Sequence, residues 1–181
     1  MTDPESQDRI IKRGRDVTPQ RCLLFDGGDT LMREFPSFNG PMKDWPILEA
    51  MPGALEILTA LHATWTLATA TNADISTEED IWAALRRVGL DQVMDKIYCP
   101  KGIGYRKPSP EFFQHILNDL RLTPDRVLMV GDSFENDVLG ANRSGIYAIW
   151  FNWKTTEIRE NEWHRTIHAL QDLPELLKEM K

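Results

Sequence analysis

Four short stretches of this 181-residue chain carry side chains suited to handling phosphate. Asp26 is followed by Gly27, Gly28, Asp29 and Thr30, and Thr71 stands before Asn72. Arg106, Lys107 and Pro108 are consecutive, and Gly131-Asp132-Ser133 has Asp137 five residues beyond Asp132. A carboxylate can attack phosphorus to form an aspartyl-phosphate. A second carboxylate helps to hold Mg²⁺, which prefers oxygen ligands and retains several waters. A lysine and a threonine hydroxyl offset charge on the equatorial phosphoryl oxygens. Read singly these residues say little. Lys107 alone is a solvent-facing lysine, since lysine is rarely buried, and Asp132 and Asp137 alone are caps of the helix that follows. They become a kit for phosphoryl transfer only if the fold brings them together.

The elements that would do so alternate along the chain from Arg21 onward. Cys22–Phe25 is a short apolar run ending at Asp26, as in a buried strand. Pro52 opens a helix in which Leu55, Leu58 and Leu61 recur at helical spacing. Trp65–Thr71 reads as a second strand. Ser76, answered by Glu79, fits a capping box for a helix that runs through Arg87 and ends at Gly89. Lys96–Cys99 is a third strand. Ser109-Pro110 starts a helix with Phe112, Phe113, Ile116 and Leu120 facing the core. A fourth strand over Arg126–Val130, a helix around Glu135–Arg143 and a fifth strand over Ile146–Phe151 follow. A short sixth strand near Thr166–His168 and a helix from Pro174 close the chain. Such alternation predicts an α/β domain, a mainly parallel sheet covered by helices on both faces. Ligands bind such sheets at the carboxyl ends of the strands, near the point where strand order reverses. All four chemical stretches fall at or just after predicted strands.

The segments FDGGDTL, TN, RKP and GDSFENDVLGA resemble, in order, the four motifs of the haloacid dehalogenase (HAD) superfamily, and the resemblance runs from Leu23 to Phe151. It implies a HAD-like Rossmannoid three-layer sandwich and a Mg²⁺-dependent phosphohydrolase. By that resemblance Asp26 is the nucleophile and a metal ligand, Gly28 offers its backbone carbonyl to the metal, and Asp132 completes the metal site. Thr71, with Asn72 beside it, binds the phosphoryl group. Lys107 steadies the nucleophile and its phosphorylated form, and Asp137 sits behind the metal ligands or holds a metal-bound water.

The pattern breaks at one position. Most phosphatases of the superfamily carry a second aspartate two residues after the nucleophile, which protonates the leaving group and then activates water. Here that residue is Gly28. Asp26 to Thr30 has the usual length, so no insertion brings Asp29 into register; Asp29 occupies the following position and stands as a candidate catalytic residue. Loss of a positioned acid–base costs about 10²–10⁴ in rate. Three outcomes stay open: Asp29 or an outside group replaces the carboxylate, the leaving group needs little protonation (an acyl phosphate), or the site binds phosphate and turns over poorly. The last makes the chain a phosphate-binding or interaction protein on a HAD scaffold.

Between Thr30 and Pro52 about 20 residues with Pro36, Gly40, Pro41 and Pro46 suit a flap at about 31–50 rather than a cap domain. Between Asn72 and Lys107 there is room for one helix and one strand, both needed by the sheet. A capless single domain over 21–181 is expected, preceded by a polar leader, residues 1–20, whose basic residues Lys12, Arg13 and Arg15 read as a solvated tail. Phe35, Phe38 and Trp45 either rim the open site or pack the flap onto the body. Trp150 and Trp153 carry the same two readings, and His62, His115, His164 and His168 read as surface or packing residues. An open site suits a phosphorylated small molecule or macromolecule, or closure by a second copy in a homo-oligomer. Dehalogenation wants a closed apolar pocket that no cap here would make. The net charge of −7 disfavours nucleic acid, and no GxxxxGK[ST] loop occurs. No apolar stretch approaches the roughly 20 residues of a membrane span, and the polar start is unlike a signal peptide. With Cys22 and Cys99 in apolar runs as reduced buried thiols, a cytoplasmic location is expected.

Overall fold

A computed structural model describes residues 20–180 of the chain. The polar leader, apart from Gln20, therefore lies outside the described residues. In chain order the elements are β1 (Cys22–Phe25), α1 (Ala54–His62), β2 (Thr66–Ala70), α2 (Glu78–Arg87), β3 (Lys96–Tyr98) and a single-turn α3 (Pro100–Ile103). They continue with α4 (Pro110–Leu120), β4 (Val127–Gly131), α5 (Gly140–Arg143), β5 (Tyr147–Phe151), β6 (His164–Ile167) and α6 (Leu173–Glu179). The six strands form one sheet in the order β3-β2-β1-β4-β5-β6, and every pairing is parallel.

Because side chains alternate across a strand, a sheet buried on both faces must be apolar at every position. β1 meets that condition: Leu23 and Phe25 enter one core with Leu128, Val130, Ile149 and the α1 residues Ile57, Leu58 and Leu61. Cys22 and Leu24 enter the opposite core with Met129, Ala148 and the α4 residues Phe112, Phe113, Ile116 and Leu117. The α/β three-layer arrangement expected from the alternation is the one observed. Cys22 and Cys99 are unpaired and buried, and burial raises the Cys22 thiol's pKa. No helix among the described residues is long and apolar enough to cross a membrane.

Several local readings need correction. The capping box of α2 is formed by Thr77 and Asp80, not by Ser76 and Glu79. Thr77 is the last extended residue, so the third helical position falls on Asp80, whose N–H donates to Thr77 Oγ1 while Thr77 N–H donates to Asp80 Oδ2. Ser76 is buried instead. In α1, Leu58 and Leu61 are buried with Ala54 and Ile57, but Leu55 is 48% exposed. A three-residue step falls short of the 3.6-residue turn, so a run at that spacing walks off the buried face. The helix expected around Glu135–Arg143 is a π-helical stretch, Phe134–Leu139, running into α5. β6 covers His164–Ile167, two residues earlier than expected, and His168 lies beyond its end.

The segment joining β1 to α1 is held down at several points. Met32 bridges to Gly28 and to Ala50, and a 3₁₀ turn covers Met42–Asp44. Arg87 of α2 donates to the carbonyls of Lys43 and Trp45 at 2.8 and 2.7 Å. Phe35, Phe38 and Trp45 lie with ring centroids 5.6 to 6.5 Å apart. These rings pack against one another within the flap, and none of the three lines the cleft described below.

Candidate active site

Strand order reverses between β1 and β4, and the chain leaves both strands there through a carboxylate: Asp26 directly after β1, Asp132 directly after β4. Two hydrogen bonds fix the exits to each other. Asp26 N–H donates to Val130 O at 3.0 Å, and Asp132 N–H donates to Thr30 Oγ1 at 3.1 Å. The turn after Asp26 closes when Leu31 and Met32 both donate to Gly27 O, which leaves the Gly28 carbonyl out of these bonds. On the β4 side the Trp150 indole N–H donates to Asp132 O at 2.9 Å.

Lys107 is the pivot of the site, and it is not the surface lysine that its residue type alone suggests. Its side chain is 1% exposed, with Nζ donating to Asp26 Oδ1 at 2.7 Å and to Asp137 Oδ1 at 2.6 Å. Burial disfavours its charge, but Asp137 and then Asp26 outweigh that and hold its pKa above the ordinary lysine value. Asn72 clamps the backbone of this residue: Lys107 N–H donates to Asn72 Oδ1 at 2.9 Å, and Asn72 Nδ2 donates to Lys107 O at 2.8 Å. Asp137 is equally buried and also accepts from Ser133 N–H through Oδ2 at 2.9 Å. Burial raises its carboxyl pKa. Gly131 makes room for it, since a β-carbon at 131 would stand 2.6 Å from Asp137 Cβ.

Asp26, Gly27, Gly28, Thr71, Asn72, Lys107, Asp132 and Asp137 line one cleft of about 350 Å³. The Thr71 hydroxyl lies beside Gly27, 3.1 Å from where a β-carbon at 27 would be. Carboxylate oxygens of Asp26, Asp132 and Asp137 lie within 4.8 Å of one another. Burial first and then the Asp26 charge push the Asp132 carboxyl above its usual range. Converging carboxylates of this kind are relieved by a cation. Both Asp137 oxygens already accept hydrogen bonds, whereas Asp132 Oδ1 is not used by the lysines and Asp26 Oδ1 keeps a second lone pair beside the one that Lys107 engages. Two carboxylates and a backbone carbonyl, with room for water, fit the small hard Mg²⁺ ion.

Asp29 reaches the same cleft with its backbone in the left-handed region, at φ 53°. Both of its oxygens are engaged: Glu34 N–H donates to Oδ1 at 2.9 Å, and Lys154 Nζ donates to Oδ2 at 2.6 Å. Lys154, in the loop after β5, also reaches Asp132 Oδ2 at 3.3 Å. Glu34 lines the cleft too, and burial of its carboxyl followed by repulsion from Asp29, Asp26 and Asp132 raises its pKa. Glu34 and Lys154 are the site residues that sequence reasoning missed. Neither belongs to a spaced motif, and each arrives from a loop.

Comparison with known proteins bears on the family and the fold. Residues 24–151 match the family model described as haloacid dehalogenase-like hydrolase. The chain is 31% identical over 136 residues to the pyrimidine 5'-nucleotidase YjjG of Escherichia coli (strain K12), an overlap covering 72% of this chain and 58% of that protein. It is 29% identical over 98 residues to a glyceraldehyde 3-phosphate phosphatase of Methanothermobacter thermautotrophicus, covering 52% and 43%. The chain thus spans about half the length of these curated relatives. A crystal structure of an uncharacterized protein from Listeria monocytogenes serotype 4b superimposes with a TM-score of 0.79 at 26% identity, over 88% of this chain and 98% of that one.

Proposed function

Because the chain belongs to the haloacid dehalogenase-like hydrolase family, we propose that it is a Mg²⁺-dependent phosphohydrolase working through an aspartyl-phosphate on Asp26. The observation that carries this reading is the buried Lys107 ammonium, 2.7 Å from Asp26 Oδ1. A lysine held on one oxygen fixes the carboxylate plane and leaves Oδ2 to attack. Asp26 Oδ2 attacks phosphorus and the bond from phosphorus to the leaving oxygen breaks. Lys107 has three donors, of which Asp26 and Asp137 take two. The third, with the Thr71 hydroxyl, would stabilise charge on the transferring group. Asp137 and Asn72 act by holding Lys107 in position.

Asp26, Asp132 and the Gly28 carbonyl would hold Mg²⁺, which supplies positive charge against the phosphoryl oxygens. We read residues 21–181 as a capless single domain: the flap at about 31–50 is pinned by Arg87, and the 73–106 segment is spent on α2, β3 and α3. The open cleft takes a phosphorylated small molecule, as the named relatives suggest by their phosphate-ester substrates. A second reading, a phosphate-binding protein with weak turnover, is favoured by Gly28.

The test is phosphate release from acetyl phosphate and p-nitrophenyl phosphate, with and without Mg²⁺, for wild type and Asp26→Asn. Metal-dependent release lost in Asp26→Asn is expected. Tight binding of a phosphate mimic with no release above that variant's background would move the binding reading to the front.

A further inference from the structure

Position 28 lacks a side chain, yet the space that its side chain would fill is taken. A β-carbon at Gly28 would stand 2.7 Å from Cδ and 2.8 Å from Cγ of Glu34, closer than β-carbons approach other atoms. The Glu34 carboxyl group thus lies over Gly28, inside the cleft that Asp26 also lines. An aspartate at 28 and Glu34 in this conformation exclude each other. From this juxtaposition we propose that Glu34 is the catalytic acid–base of the site, entering from the flap in place of a carboxylate on residue 28. The inference rests on the aspartyl-phosphate reading above.

Three observations favour Glu34 over the neighbouring carboxylates. Asp29 has both oxygens occupied, by Glu34 N–H and by Lys154. Asp137 has both occupied by Lys107 and Ser133 N–H. Asp132 is drawn toward Lys154 and is needed for the cation. Glu34 makes no side-chain hydrogen bond or ion pair of its own among the described residues. Its backbone is nevertheless fixed, because its N–H donates to Asp29 Oδ1 at 2.9 Å. Asp29 is thus the positioning residue: it ties the start of the flap to the turn that carries Gly28. Glu34 is an exposed residue, so its carboxyl can exchange protons with water.

The step balances in two halves. As Asp26 Oδ2 bonds to phosphorus and the leaving-group oxygen departs, the Glu34 proton passes to that oxygen and Glu34 becomes a carboxylate. Glu34 then takes a proton from a water whose oxygen attacks phosphorus. The bond from phosphorus to Asp26 breaks, inorganic phosphate leaves, and both Asp26 and protonated Glu34 are regenerated.

The second half is needed whatever the leaving group, and this makes the inference testable with acetyl phosphate. Wild type, Asp26→Asn and Glu34→Gln are compared with Mg²⁺ present, reading steady-state phosphate release and label retained on the protein from ³²P-acetyl phosphate. Glu34→Gln keeps the size of the side chain and the backbone bond to Asp29. It is expected to slow release by about 10²–10⁴-fold and to accumulate a hydroxylamine-sensitive phosphoenzyme absent from Asp26→Asn. Release by Glu34→Gln equal to wild type, with no accumulation, overturns the role of Glu34 and leaves the Asp26 reading standing. Wild-type release no greater than that of Asp26→Asn overturns both.

Discussion

Two lysine–aspartate clusters in this molecule share one distance and differ in almost everything else. Lys107 Nζ lies 2.6 Å from Asp137 Oδ1, and Lys96 Nζ lies 2.6 Å from Asp119 Oδ2. Each cluster has a third member: Asp26 on Lys107, and the Tyr98 hydroxyl, which donates to Asp119 at 2.7 Å. The side chains of Lys107 and Asp137 are each 1% exposed, while those of Lys96 and Asp119 are 40% and 45% exposed. Water screens the second pair and competes for its hydrogen bonds. The first pair has lost its hydration, so each charge depends on the other. Distance alone therefore does not rank ion pairs. What sets the Lys107 cluster apart is that its Lys107–Asp137 pair is shut off from solvent, and in that sense dry.

The largest effect follows from breaking the dry cluster. Asp137→Ala leaves the Lys107 ammonium buried with Asp26 as its remaining carboxylate, and it strands the Ser133 N–H. Removing one partner of a buried pair costs about 3–5 kcal/mol. Denaturant unfolding should show a loss of that size with little change in the slope against denaturant. A loss comparable to that of an exposed pair would mean that water enters the cluster and that burial is not what distinguishes it.

The same contrast explains what the sequence could show. The alternation of apolar runs with helical repeats sufficed for the layers and the parallel sheet, because burial of both faces leaves a continuous apolar signature in strands such as β1 and β4. Asp26, Thr71 and Asp132 were legible because each directly follows a strand within a spaced motif, and Lys107 because it belongs to the RKP stretch in the loop before α4. The burial of Lys107 was not legible from its type; it arises only when Asp26, Asp137 and the Asn72 clamp meet in space. Asp29 looked like a stand-in carboxylate, but its left-handed backbone and two bonded oxygens depend on the Glu34 backbone and on Lys154, which lies 125 residues away. Element edges moved by one or two residues where a cap decided them, as at Thr77. Loop residues that enter a site by tertiary contact have no period to reveal them.

A smaller effect tests the wet cluster. Lys96→Met removes the charge facing Asp119 and keeps most of the apolar stem. Exposed pairs contribute about 0.2–1 kcal/mol, so unfolding should show at most that loss. Salt sharpens the comparison. At about 1 M the screening length falls to about 3 Å, and the Lys96→Met penalty should shrink toward zero while the Asp137→Ala penalty persists. Equal salt sensitivity of the two penalties would erase the distinction between the clusters.

The smallest effect is a dependence on acid. Hydrogen bonds from Lys96 and then Tyr98 hold the Asp119 carboxyl below its usual pKa in the folded chain. A group whose folded pKa is depressed contributes stability that is present above the unfolded value, about 3.9 for aspartate, and that is lost as pH falls through the folded value. Asp119→Asn should therefore be less stable than wild type at neutral pH, and the gap should close as the solution is acidified below that range. Lys107 adds nothing to this window, because its raised pKa places its own titration on the alkaline side. Unfolding of wild type and Asp119→Asn, followed from neutral pH downward, reads the gap directly. If the gap stays constant into acid, the Asp119 carboxylate is not the group that Lys96 and Tyr98 stabilise, and the value of Tyr98 to the fold lies in its packing in the core rather than in charge.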